Sequence, residues 1–111
     1  MEFSGKPYNM KYYKHGPPPE FNSDCWLSVR EKLGLDFPNL PYLIDGDVKV
    51  SESMNIYLYL VHKYAPELMG KTEASKTKVL EGLCVISGIK IAVIIPCFDP
   101  DPSKAQEAIK S

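Results

Sequence analysis

Asp36-Phe37-Pro38-Asn39-Leu40-Pro41-Tyr42-Leu43-Ile44-Asp45-Gly46-Asp47, followed at a short distance by Ser51-Glu52-Ser53, reads as a loop, a hairpin and a helix start in succession. Leu40-Pro41 introduces the apolar run Tyr42, Leu43, Ile44, which puts Pro41 at the first residue of a strand, where its missing N–H costs little. Asp45-Gly46 is a tight-turn dipeptide that joins antiparallel strands. Val48 and Val50 resume with the alternation of a half-buried strand. Ser51 is the expected cap of the next helix and leaves the N–H groups of Glu52 and Ser53 facing outward. A backbone edge beside a proline and an exposed helix N-terminus together suit a small peptide that carries a carboxylate.

The rest of the chain extends in both directions from this stretch. Tyr8 to Tyr13 alternates well enough to be a strand, with tyrosines that suit a sheet edge. Met1 to Pro7 reads as a loose start, and Gly16-Pro17-Pro18-Pro19 as a stiff loop in polyproline geometry. Asn22-Ser23-Asp24 starts a helix in which Trp26, Val29 and Leu33 recur on one face before Gly34 closes it. Glu52 to Tyr64 reads as a helix apolar nearly all round, which needs cover on more than one side, and Ala65-Pro66 stops it. Thr72 caps a second long helix from Glu73. The run Ile89 to Ile95 is β-branched, but its continuity with that helix keeps it helical as far as Pro96. A short helix from Ser103 to Lys110 follows the prolines of the tail.

Composition narrows the function classes. At 111 residues with a net charge of −1, the chain gives no electrostatic reason to expect nucleic acid or an anionic membrane as partner. Cys25, Cys84 and Cys97 are odd in number and show no CxxC or metal-ligand spacing, so reduced thiols in an intracellular, cytoplasmic compartment and no metal site are expected. The apolar stretch Leu83 to Ile95 is interrupted by Ser87, Gly88 and Lys90, and it reads as too short and too polar to span a bilayer. His15 and His62 are isolated, and no GxGxxG, P-loop or HExxH appears.

The run Lys32 to Gly46, with Asn39-Leu40-Pro41 and then Glu52-Ser53, resembles the glutathione-binding domain of glutathione S-transferases, most of all the mu class. The resemblance implies an α/β fold: a truncated thioredoxin-like domain (strand, helix, hairpin, helix) over residues 1–66, then a long helix from an all-α C-terminal domain over 67–111. It places Trp26 and Arg30 beside the glycine carboxylate of glutathione, with Arg30 where a lysine is usual. It has Leu40 offering its backbone to the cysteinyl part across a cis bond to Pro41, with Asn39 beside it. It puts Glu52 and Ser53 at the γ-glutamyl end. Taken without the resemblance, Trp26 is equally a core anchor, Arg30 a solvated charge, Pro41 a trans strand start, and Ser51 and Ser53 simple caps.

Departures from the family pattern shape the functional expectation. In this register the family's first strand and helix, with the catalytic tyrosine, would precede Tyr8, where seven residues stand. An unassisted thiol, with a pKa near ~8.5, stays mostly protonated at neutral pH. Gly88 occupies the place of an aspartate and Phe98 that of a substrate-facing tyrosine. The expectation is a degenerate, non-catalytic transferase relative, part of a larger assembly whose protein partner or second copy covers an open sheet edge. The alternative is an active or truncated transferase that conjugates glutathione to small electrophiles.

Overall fold

The computed structural model describes residues 1–98 together with Asp101, Ser103 and Glu107. The chain forms two compact units, Met1–Leu68 and Met69–Ser111.

The first unit is built on a two-stranded antiparallel hairpin, β1 (Tyr42–Asp45) and β2 (Val48–Ser51), in the register Tyr42↔Ser51, Leu43↔Val50, Ile44↔Lys49 and Asp45↔Val48. Gly46 and Asp47 form the two-residue loop, so Asp45 is the last ladder residue and not, as expected, a turn residue. Gly46 has φ 61° and Asp47 is not among the residues of positive φ. That combination is the type II′ pattern, in which glycine supplies the one conformation a side chain resists.

Helix α1 (Asp24–Leu27) precedes the hairpin and α2 (Ser53–Tyr64) follows it. The helix expected over Asp24–Leu33 is split: after α1 the chain tightens into a 3-10 turn at Arg30–Lys32. Val29 N–H is bonded to the Trp26 carbonyl, three residues back, and not four back as an α-helix requires. β-branched Val29 gives little intrinsic resistance to that break.

Tyr8–Tyr13 is not a strand. It is extended chain without a ladder, since the described sheet has only two strands, and alternation without a hydrogen-bonded neighbour is not enough to make one. The proline segment also differs from expectation. In place of an extended rod it turns back: Pro18-Pro19 is cis, Phe21 has φ 45°, and Phe21 N–H reaches the Pro17 carbonyl at 3.2 Å. Gly16 N–H then bonds the Asn22 carbonyl at 2.7 Å, which brings residues 14–16 alongside residues 22–25. The N-terminus is more ordered than expected, with a 3-10 turn at Glu2–Ser4. Met1 and Phe3 line a shallow depression with Leu60, Val61 and Tyr64 of α2.

One carboxylate ties the hairpin to the far end of α2. Asp45 Oδ2 accepts from Lys63 Nζ at 2.6 Å and from the hydroxyls of Tyr59 and Tyr64, each at 2.9 Å. The Lys63 ammonium, then the two phenols, hold the Asp45 carboxyl below the usual range, and Asp45 in turn raises the Lys63 ammonium. The core is small: Trp26, Leu35, Ile56 and Ala65 in this unit, with Ser51 the buried polar residue. Burying one side chain such as Ile56 contributes roughly 1.5–3 kcal/mol.

The second unit is dominated by α3 (Glu73–Cys97). Thr72 caps it as expected, in a reciprocal box: Ser75 N–H donates to Thr72 Oγ1 at 3.2 Å and Thr72 N–H to Ser75 Oγ at 3.0 Å. Ile89–Ile95 is helical, and the helix runs through Pro96 by one residue. Val85, Ile86, Ile89, Ile91 and Ile95 are each more than half exposed. An 18-residue window of α3 has a mean hydropathy of 2.0, so by length and composition the helix is long and apolar enough to cross a membrane. This corrects the reading from Leu83–Ile95 alone, because Ser87, Gly88 and Lys90 dilute the apolar run without ending the helix. The helix expected over 103–110 lies largely outside the described residues.

Candidate functional site

The site grows from three aromatic rings. Trp26, 9% exposed, is stacked on Tyr42 of β1 with centroids 5.8 Å apart and planes at 16°. Tyr13 meets the indole edge-on at 5.2 Å and 70°. The hydroxyls of Tyr13 and Tyr42 are 2.8 Å apart. Burial first, then this bond to Tyr13, pushes the Tyr42 phenol up to about 12. Offset and edge-on ring pairs of this kind contribute about 0.5–1.5 kcal/mol beyond the area they bury.

Beside the rings lies an open cavity of about 40 Å³ lined by Tyr13, Lys14, His15, Ser23, Cys25, Trp26 and Leu40. Ligand pockets usually reach roughly 300–1,000 Å³. The cavity therefore has room for one end of a small ligand and not for a whole tripeptide. His15 Nδ1 is 2.9 Å from Ser23 Oγ, and Cys25 Sγ donates to the Lys14 carbonyl at 3.0 Å. Ser23 precedes α1 without capping it through its side chain; Asn22 Oδ1 accepts the Asp24 N–H at 2.7 Å instead.

Leu40 carries this cavity to the start of α2. It is 41% exposed, and its bond to Pro41 is cis, the geometry that the resemblance implied. Its N–H is taken by Asn39 Oδ1 at 2.9 Å, so that donor is already engaged. Asn39 Nδ2 also donates to Glu52 Oε1 at 3.2 Å. Glu52 stands just before α2 at φ 70°, ψ 119°, a conformation that a side chain resists. Ser51 is not the cap that was expected: it is buried, and its hydroxyl bonds the Phe37 carbonyl at 2.5 Å. With Ser51 turned away, no side chain caps α2. The first N–H groups from Ser53 onward present the positive end of the helix dipole to any anion.

The structure thus gathers Trp26 and Leu40 at one cavity and joins Asn39, Glu52 and Ser53 at the helix start, with Pro41 between the two. Arg30 stands apart. Its Nε is 2.9 Å from Glu31 Oε1, its side chain is 43% exposed, and it does not line the cavity. Sequence reasoning missed Tyr13, Lys14, His15, Ser23 and Cys25. Only the fold-back at Gly16–Asn22 brings them together, and a proline run expected to be extended hides it. The three cysteines are free and exposed, and among the described residues no group of three or more His, Cys, Asp or Glu gathers as a metal site.

Residues 1–62 match the family model "Glutathione S-transferase, N-terminal domain". "Glutathione S-transferase 2" of Gallus gallus is 41% identical over 108 residues, covering 97% of this chain and 48% of the relative. "Glutathione S-transferase Mu 2" of Mus musculus is 41% identical over 106 residues, covering 94% of this chain and 47% of the relative. The crystal structure of the glutathione S-transferase Blo t 8 superposes with a TM-score of 0.69 at 32% identity, covering 80% of this chain and 40% of the other. The chain spans about half the length of the curated relatives it matches. On this match, and on a hairpin, cis-proline edge and helix start arranged as the sequence resemblance implied, the chain belongs to the glutathione S-transferase family, with mu-class relatives along nearly its whole length.

Proposed function

We propose that this chain is a degenerate transferase relative that holds glutathione along the Leu40–Pro41 edge without activating its sulfur. It acts as a structural or interaction subunit of a larger assembly in a reducing, cytoplasmic compartment. Trp26, Leu40 and Pro41 flank the peptide, Asn39 fixes the loop against Glu52, and the free N–H groups from Ser53 take the γ-glutamyl carboxylate.

The observation that carries this reading is the Tyr13–Tyr42 pair. Tyr13 is the phenol that lines the cavity, and its hydroxyl is engaged with that of Tyr42 at 2.8 Å. One of the pair's two protons is committed internally, and Tyr42 keeps its proton up to about pH 12. Stabilising a thiolate calls for a strong donor aimed at sulfur, and the mutual bond leaves the pair at most one hydroxyl proton for that task. The exposed apolar side chains of α3 support a helical-domain packing surface, because mu-class relatives align through this segment.

Retention of the purified 111-residue protein on immobilised glutathione, without turnover of a chlorodinitrobenzene-type electrophile and at a hydrodynamic size above that of a monomer, is the expected result. Measurable turnover by the purified protein rejects the non-catalytic reading. It would favour the second one, a conjugating transferase, which the 41% identity to such enzymes supports.

A further inference from the structure

We propose that the open edge of β1 takes the extended segment Tyr8–Tyr13 of a second copy of this chain as an added strand, and that the exchange is reciprocal. It rests on the interaction role proposed above, which it deepens by naming the partner and the strand, and not on the binding of glutathione.

Three observations carry it. The first is the edge. Asp45 and Val48 close a two-residue loop, so that pair and Leu43–Val50 exchange the ladder bonds, and the N–H and C=O of Tyr42 and Ile44 point away from β2. Among the described residues no hydrogen bond reaches those outward groups. The outer edge of β2 is guarded instead: the Ser51 carbonyl accepts from Asn55 Nδ2 at 3.4 Å, and Lys49 puts an exposed cation there. The corresponding side chain on β1 is Ile44, apolar and 44% exposed.

The second is the segment. Tyr8–Tyr13 is extended, rich in tyrosines that favour strands, and without a backbone hydrogen bond to any described residue. Tyr8, Met10 and Tyr12 recur at period two and are 45%, 61% and 77% exposed. Its one charged residue is Lys11, while Asp47, in the loop that follows β1, has no ion pair among the described residues. The third is that the chain does not satisfy itself. Its own segment is pinned by the Tyr13 ring at Trp26 and the Tyr13 hydroxyl at Tyr42, and still gives β1 no ladder bond. Each copy thus holds an unfilled edge and an unused strand. Reciprocal exchange about a two-fold axis matches both, in the order β2, β1, partner segment, own segment, partner β1, partner β2. A net charge of −1 leaves little repulsion between the copies.

Sedimentation equilibrium and amide hydrogen exchange of the full 111-residue protein, each across a concentration series, test it. The expected result is a dimer in which the Ile44 amide and amides within residues 8–12 gain protection together as concentration rises. Met10→Pro blocks the strand in a stretch that makes no backbone bond within one copy, and Ile44→Lys charges the edge. Each is expected to weaken dimerisation at least about tenfold. Trp26 fluorescence and the urea midpoint of the dilute variants check that each copy still folds. Mixing the two variants restores part of the dimer, because one junction then pairs an intact edge with an intact segment. A wild type that stays monomeric at every concentration overturns the proposal, and so does Ile44 protection that ignores concentration. A dimer that Met10→Pro leaves intact overturns strand exchange but leaves the interaction role standing. Retention of the same variants on immobilised glutathione, measured in parallel, reads the glutathione half of the proposed function separately.

Discussion

The ring of Trp26 lies almost parallel to that of Tyr42, at 16° and 5.8 Å, so the short helix α1 is fixed to the first strand residue after Pro41. Through this pair the cavity wall and the cis-proline edge become one object. The Tyr42 hydroxyl adds a second tie, to Tyr13. Tyr42→Phe keeps the stack and removes only that tie. It is expected to lower stability by about 1 kcal/mol, read from urea unfolding followed on Trp26. An unchanged midpoint would mean that the hydroxyl pair contributes nothing.

The same pair sets an alkaline limit. The Tyr42 phenol is raised from its ordinary 10.0 to about 12 in the folded chain, by burial and then by Tyr13. A raised folded value means that its contribution is complete below pH 10 and is lost as pH climbs toward 12. Unfolding midpoints measured across that interval should fall in the wild type and fall less in Tyr42→Phe. Equal slopes for the two proteins would rule out Tyr42 as the responsible group.

At the acid end the Asp45 carboxylate governs. Its folded value is lowered by Lys63, Tyr59 and Tyr64, so its contribution is complete above the ordinary carboxylate value and is lost as pH falls through the lowered one. Lys63 is raised by Asp45, so its share persists until alkaline pH exceeds the ordinary ammonium value. Asp45→Asn removes the charge that these three partners share. It should lower the thermal midpoint by a few degrees at neutral pH and flatten the acid limb of the stability curve. A midpoint that stays put at neutral pH and drops only in acid would contradict the assignment.

Much of the hairpin and both long helices is legible because each rests on local chemistry: a glycine in the turn, Thr72 with Ser75 at a cap, Ala65-Pro66 at a stop. The strand at Tyr8–Tyr13 is not settled locally, since a strand exists only through its neighbour. The fold-back at Gly16–Asn22 depends on a bond between backbone groups six residues apart, which no side-chain pattern announces. For that reason Asn39, Leu40 and Pro41 are readable as a loop, whereas the meeting of Lys14, His15 and Ser23 at the cavity is not. Ser51 illustrates a further limit: a serine before a helix reads as a cap, yet Phe37 offers its carbonyl from fourteen positions away and wins.

Helix α3 offers a test free of the site. Gly88 lies within it, exposed, and a methyl group added there meets nothing within 4 Å. Its φ is not in the left-handed region, so alanine fits without strain. Gly88→Ala should therefore stabilise the helix by about 0.5–1 kcal/mol, through the backbone freedom removed from the unfolded chain. Helical ellipticity during thermal unfolding measures it, and a loss of stability would place a neighbour against Gly88.

Glu52 carries the strain on which the α2 start depends. Its φ of 70° with ψ 119° is costly for any residue with a side chain, on the order of 1–3 kcal/mol, and glycine escapes most of that cost. Glu52→Gly relieves it but gives up the 3.2 Å bond from Asn39, whose other contact orders the Leu40 N–H. Stability should hold or rise slightly while glutathione affinity falls, because the loop that bears Leu40 loses its tether to the helix start. Glu52→Gln keeps an acceptor for Asn39 and should behave as wild type in both measurements. The two variants separate the roles: matched affinity losses in glycine and glutamine forms would point to the carboxylate charge, and a loss confined to glycine to the tether.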